Sequence, residues 1–239
     1  MPPVTMEPIG IIHSPFEEKF TTPRQPGLAS AATGFLELFP PCNRPEAWKG
    51  IEQYSHLWLM FLFHLVPREE WQPTVRPPRL GGNERVGVFA SRSPYRPNRI
   101  GLSAVKNHGM ETRNGRYGLL LGGIDMVDQT PVLDIKPYLP YTDSHPEASA
   151  GRFQQPPQAL RQVRFDDLAE KQLECLGEKN AKTRRLIEQV LSLDPRPGYR
   201  QREKAGEFGV FLAGQNVRWR EEDGIVTVIR IDRADKTGC

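Results

Sequence analysis

The chain lacks a GxGxxG turn after a strand-like run, and it lacks GxxxxGK[ST], HExxH and GxSxG. Each of those motifs supplies a phosphate nest, a pair of metal ligands or a strained nucleophile. Their absence argues against a Rossmann-type dinucleotide enzyme, a P-loop NTPase, a zincin protease and an α/β-hydrolase. Cysteine is scarce: Cys42, Cys175 and Cys239 are odd in number, far apart and without CxxC spacing. A disulfide framework is therefore not indicated, and unpaired thiols in a reducing cytoplasm are expected. Long apolar runs are missing as well. The longest, Leu57 to Phe63, stops at His64, far short of the roughly 18 residues that span a bilayer. The amino terminus has no basic segment leading into an apolar one, so no signal peptide is expected. The 5 histidines are scattered. His56 and His64 would share a strand face but lie too far apart along it to close on one ion, so no metal is expected.

What is abundant is proline. Pro (23) and Gly (21) together supply 44 of 239 residues, which favours many turns and short strands over a helix bundle. Hydrophobic residues at 38% and charged residues at 26% suit a globular chain. The net charge of +3 names no partner, but its distribution is uneven. Arg76, Arg79, Arg85, Arg92, Arg96 and Arg99 fall in one window with a single acid, Glu84. Arginine without lysine suits bidentate pairing with phosphate or carboxylate, and stacking on bases. A solvated positive face is the plainer alternative.

Short apolar runs at 9–12, 34–39, 54–65, 86–90, 117–121, 124–127 and 132–135 are separated by turn residues and predict a sheet closed into a barrel. A polar stretch at 146–160 reads as a linker. Beyond it, Asp166 is placed to cap a helix. Leu173, Leu176, Leu186, Ile187, Val190 and Leu191 then recur at helical spacing, with Gly177 dividing the stretch and Asp194-Pro195 ending it. Alternating runs at 208–212 and 225–231 predict strands. The expected organisation is mainly β: a barrel domain over 1–145, the linker, and a small α+β domain over 161–239.

Two constellations carry chemistry. Ser91-Arg92-Ser93-Pro94-Tyr95-Arg96-Pro97-Asn98-Arg99 is a strand-end turn held by two prolines, presenting three arginines and an asparagine at fixed angles. It also fits a PxxP ligand, though strand-like sequence on both sides makes it part of the fold. Asp125, Asp128 and Asp134 sit on a strand–turn–strand, where acids can hold a cation, bind ribose hydroxyls or act as a base. Ordinary surface acids around an Asx turn are the alternative.

These runs, with Pro23-Arg24-Gln25-Pro26-Gly27, Phe61-Leu62-Phe63-His64, Gly87-Val88-Phe89-Ala90 and Asp128-Gln129-Thr130-Pro131-Val132-Leu133-Asp134, resemble the TsaA-like (YaeB/TrmO) family. In the second domain, Asp194-Pro195-Arg196-Pro197-Gly198-Tyr199 extends the resemblance. It implies a non-Rossmann β-barrel methyltransferase that uses S-adenosylmethionine. The implied reaction is on N6 of threonylcarbamoyladenosine next to the anticodon of threonine tRNA, carried out by a homodimer. The resemblance assigns the cofactor to Pro23, Arg24, Gln25, His64, Leu65, Arg92, Leu102, Asp128, Gln129, Thr130 and Pro131. Asp128 and His64 are the candidate bases. Arg76, Arg79, Arg96 and Arg99 are the candidate phosphate contacts, with the second domain as an aid to tRNA binding. The family usually has Gly at position 129 and Pro at position 99. A non-catalytic RNA-binding or nucleotide-binding barrel is the rival reading.

Overall fold

The computed structural model describes residues 2–77, 84–155, 161–196 and 206–233. Barrel strands are β1 (Gly10–His13), β2 (Thr33–Leu38), β3 (His56–Leu62), β6 (Ile100–Arg113), β7 (Arg116–Gly122) and β8 (Thr130–Pro137), with a two-residue pair, β4 (Thr74–Val75) and β5 (Val86–Gly87), between β3 and β6. The six strands pair antiparallel in the order β1-β2-β7-β6-β3-β8, and β8 pairs back with β1, so the sheet closes on itself.

Alternation decides which side chains fill the barrel. On β3, Leu57, Leu59 and Phe61 are buried while His56, Trp58, Met60 and Leu62 face outward half-buried. On β6, Gly101, Ser103 and Val105 point inward and Leu102 outward. A side chain at Gly101 would sit 2.3 Å from the Phe61 ring, so only glycine fits opposite that phenylalanine.

After a short helix α1 (Pro140–Asp143) come β9 (Gln162–Phe165), α2 (Asp167–Glu174), α3 (Asn180–Ser192), β10 (Glu207–Leu212), β11 (Gln215–Glu222) and β12 (Ile225–Arg233). The sheet order is β10-β11-β12-β9, with β9 parallel to β12. As expected, Asp166 caps α2, its Oδ1 accepting from the Ala169 amide at 2.8 Å, and Gly177 opens a 3-10 turn ahead of α3. Two expectations shift. The run 86–90 is a strand only at Val86–Gly87 and a 3-10 turn at Val88–Ala90, and 124–127 is connecting loop. In neither does an apolar run suffice, because no neighbouring strand offers a ladder there.

The second unit packs directly on the first. Buried Phe16, Ala29 and Ala32 belong to the same apolar core as Ile187, Val190 and Leu212. Phe16 bridges Leu212, and the Ala213 amide donates to the Pro15 carbonyl at 2.8 Å. Gln189 on α3 accepts from the Ala31 amide and donates to Ser30 Oγ, each at 2.9 Å, and Lys182 Nζ donates to Thr33 Oγ1 at 2.6 Å. The α+β unit is thus the floor under the 14–32 loop.

Candidate active site

Three of the five barrel connections leave from one rim. β1, β3 and β7 end there, and β2, β6 and β8 begin there, so segments 14–32, 63–99 and 123–129 crowd over one mouth. The opposite rim carries the tight β6–β7 turn at Asn114-Gly115 and the segment 39–55. Pro23, Arg24 and Gln25 lie on the first mouth segment, His64, Leu65 and Arg92 on the second, and Asp128 and Gln129 on the third, with Thr130 and Pro131 opening β8.

Backbone bonds knit the three segments. The Gly27 amide donates to the Gly123 carbonyl at 2.8 Å, the Asp128 amide to the Phe16 carbonyl at 2.7 Å, and Lys19 Nζ to the Leu65 carbonyl at 2.7 Å. Asp128 is a joint of this frame. Its Oδ1 accepts from the Ser14 amide at 2.8 Å and its Oδ2 from Gln129 Nε2 at 3.2 Å. Both of its oxygens thus tie the turn to neighbouring loop residues. Gln129 has φ 63, the left-handed conformation that glycine adopts without strain. Its Nε2 also lies 3.1 Å from His13 Nδ1.

His64 falls past the end of β3, so it does not share a strand face with His56; its amide turns back to the Leu62 carbonyl at 2.8 Å. Burial lowers its pKa below the ordinary histidine value, and Lys19 lowers it further, against the opposing effects of the Leu62 backbone bond and Asp128. At pH 7 the ring is neutral. Thr130 donates its hydroxyl proton to the Val127 carbonyl at 2.6 Å, which leaves its oxygen to accept from His64 Nδ1 at 3.5 Å. That arrangement favours the tautomer with a lone pair on Nε2.

Arg92 is exposed and reaches across to Gln25, whose Oε1 accepts from its Nη1. Below them sits a carboxyl that the sequence grouped with Asp128 without preferring it. Burial pushes Asp125 up to about 6, against a hydrogen bond from the buried Ser103 side chain, its own backbone amide and the charge of Arg92. Its Oδ1 is sealed from solvent and has no hydrogen-bond partner among the described residues. The signal available in the sequence was position alone: Asp125 follows the inward-facing end of β7 and lies between buried Ile124 and Met126.

The remaining expected residues scatter. Leu102 is on the outer wall, 53% exposed and opposite Met60, because its neighbours Gly101 and Ser103 take the inward positions. Arg96 Nη1 donates to the Ser91 and Ser93 carbonyls at 3.0 and 3.2 Å, and Arg99 Nη1 to the Val66 carbonyl at 2.6 Å, so each braces the loop. Arg99 has φ 48, a left-handed conformation that proline cannot adopt. Arg76 is exposed, and Arg79 lies outside the described residues.

The family description "tRNA-methyltransferase O N-terminal domain" matches residues 11–144, and "TrmO C-terminal domain" matches residues 158–234. The chain belongs to the tRNA-methyltransferase O family. An Escherichia coli relative named tRNA (adenine(37)-N6)-methyltransferase is 48% identical over 227 residues, covering 95% of this chain and 97% of the relative. A Pyrococcus abyssi protein named "Probable S-adenosyl-L-methionine-binding protein" is 37% identical over 163 residues, 68% of this chain and 83% of its own. The solved structure described as the crystal structure of TrmO from Pseudomonas aeruginosa superimposes with a TM-score of 0.78 at 39% identity, covering 96% of this chain and 98% of that one. The barrel mouth and its supporting α+β unit therefore both belong to the tRNA-methyltransferase O architecture.

Proposed function

We propose that this protein transfers a methyl group from S-adenosylmethionine to N6 of adenosine 37 in tRNA, the acceptor being threonylcarbamoyladenosine of threonine tRNA. The observation that carries this reading is that Arg92 meets Gln25 and acts on Asp125 on loops that leave the same barrel rim as His64, in a chain of this family.

The mouth fits the cofactor by charge. S-Adenosylmethionine carries a carboxylate together with ammonium and sulfonium cations. Arg92 and Arg24 are donors suited to a carboxylate, and Gln25 holds the Arg92 guanidinium toward the mouth. The Asp125 carboxylate, when ionised, sets uncompensated negative charge beneath the mouth, which favours a cation there. Pro23, Leu65 and the 128–131 turn complete the lining. When bound, the cofactor supplies an electrophilic methyl.

The acceptor nitrogen is acylated, so its lone pair is delocalised and it must lose its N–H proton to attack. We assign that proton to Nε2 of His64, which is neutral at pH 7 and half-buried. Asp128 shapes the turn beside it. The backbone-knit loops hold the reacting groups in a fixed approach.

An apolar stripe on the outer wall, Met60, Leu62, Leu102, Ala104 and Leu133, lies beside this mouth. It suits a second copy of the chain in a homodimer, which also accounts for Leu102 as a residue near cofactor. Among the described residues of the arginine-rich loop, exposed Arg76 is a phosphate contact.

Calorimetric titration with S-adenosylmethionine, followed by transfer of labelled methyl to threonine tRNA, tests the reading. Saturable binding that weakens in Arg92→Ala, and methylation confined to position 37, are expected. No binding at millimolar cofactor with or without tRNA overturns it in favour of a nucleotide- or RNA-binding barrel.

A further inference from the structure

The loop between β3 and β6 exposes aromatic surface on a rigid mount. Phe89 is 76% exposed, and the adjacent Val88 is 1% exposed and anchors the turn. The Val88 amide donates to the Pro73 carbonyl at 3.0 Å, and Ser91 closes the turn through Oγ to the Val88 carbonyl at 2.8 Å. Along the same loop, the Gln72 amide donates to the Tyr95 carbonyl at 3.1 Å, which brings exposed Trp71 and Tyr95 onto one framework. One side of the Phe89 ring is backed by the Arg96 guanidinium, 5.8 Å from its centroid and fixed by the Ser91 and Ser93 carbonyls. Arg92, three residues on, reaches into the mouth.

A phenylalanine held in water by buried anchors forgoes its own burial, and the surrounding charge is basic: Arg85, Arg92 and Arg96 flank it. An aromatic ring on a cationic support is how proteins receive unstacked bases of single-stranded RNA loops. We propose that Phe89, backed by Arg96, is the stacking platform for an anticodon-loop base flanking the methylated adenosine. This rests on the methyltransferase reading above. The loop docks RNA by a base face at Phe89, while the phosphate attraction comes from other arginines.

The test is fluorescence anisotropy with a synthetic anticodon stem-loop carrying threonylcarbamoyladenosine, at several salt concentrations. Phe89→Ala is expected to weaken binding about tenfold with the salt slope unchanged, and Phe89→Trp to restore it. Arg76→Ala is expected to lower the slope by about one. Replacing the flanking nucleotides one at a time by an abasic unit should abolish the effect of Phe89→Ala at one position. Cofactor affinity by calorimetry and subunit mass by sedimentation should match the wild type. Wild-type-like RNA binding by Phe89→Ala overturns the platform alone, and so does loss of a dimer in that variant, which would make Phe89 a subunit contact. Failure of the wild type to bind the stem-loop removes the methyltransferase reading with it.

Discussion

The barrel mouth and the α+β unit both bury carboxylates, and they treat them in opposite ways. In the α+β unit four charges form a ring of ion pairs, in which Arg161 Nη1 and Glu221 Oε2 sit at ion-pair distance without hydrogen-bond alignment. Arg161 Nε meets Glu221 Oε1 at 2.6 Å and its Nη1 meets Asp194 Oδ2 at 2.7 Å, while Arg196 Nε meets Asp194 Oδ1 at 2.8 Å and its Nη2 meets Glu221 Oε2 at 2.6 Å. Arg196 also lies over the Phe208 ring, 4.6 Å from its centroid. At the mouth, Asp125 has one oxygen without a partner and an Arg92 close enough to act on it but turned to Gln25. A closed ring of charge holds a fold together. At Asp125 the charge beneath the mouth is left uncompensated.

If the ring is structural, breaking it has the largest effect of any single change. Glu221→Ala leaves two buried guanidinium groups short of a partner, at a cost of about 3–5 kcal/mol. Thermal unfolding should show a midpoint lower by roughly 10 °C. Methyl transfer by the folded fraction should be unaltered, and a loss of transfer at intact stability would contradict the contrast.

The mouth should respond the other way, in rate rather than stability. His64→Gln is expected to lower kcat for methyl transfer about 100-fold with little change in midpoint. The wild-type rate should fall in acid as the imidazole takes up a proton, and that limb should be missing from the variant when cofactor is saturating. An unchanged acid limb would move the role of base away from His64.

Asp125→Asn divides the two regions most directly. Its folded pKa of about 6 stands above the ordinary carboxyl value of 3.8, so the folded state binds the proton more readily than the unfolded chain. Ionised Asp125 therefore costs the apo protein up to about 3 kcal/mol above pH 6, and nothing below about pH 4. The variant should melt a few degrees higher than wild type at pH 8, with the gain gone at pH 4. It should also bind S-adenosylmethionine several-fold more weakly at pH 8. Wild-type affinity should decline below pH 6 as the carboxyl is neutralised toward a cationic ligand.

The sequence made parts of this contrast legible and hid others. The strand inside the apolar run 54–65 was legible from its aromatic and leucine content, and the helices from the spacing of Leu173 to Leu191, whose buried face sets that period. The mouth residues 23–25, 64–65, 92 and 128–131 came from motif resemblance. The fold then explains their company, since three loops share one rim. Asp125 could not be ranked above Asp128, because burial and partner count decide between them and neither is local. The ring of Arg161, Asp194, Arg196 and Glu221 joins β11 to the ends of β9 and α3, so no spacing announces it. Its Asp194-Pro195-Arg196 portion was visible only as a motif. The 14–32 loop resting on α3 was equally invisible, being a contact across 159 residues between Ser30 and Gln189.

The smallest effect comes from two residues with the same backbone and different duties. Gln129 at the mouth has φ 63 and Asp194 in the ring has φ 53, a region that disfavours any side chain by about 1 kcal/mol or more. At 129 the side chain gives back little: it is exposed, and its bonds at 3.1 and 3.2 Å go to half-exposed neighbours. Gln129→Gly should therefore raise the melting midpoint by about 1–3 °C, the relief slightly exceeding glycine's greater entropy loss. At 194 the carboxylate accepts from both arginines of the ring, so Asp194→Gly gives the same relief and removes the anchor, and belongs with Glu221→Ala among the large losses. Calorimetric unfolding of the two glycine variants side by side checks this. Shifts of the same sign would mean that backbone strain outweighs the charge network at Asp194, and the contrast between the two regions would fail.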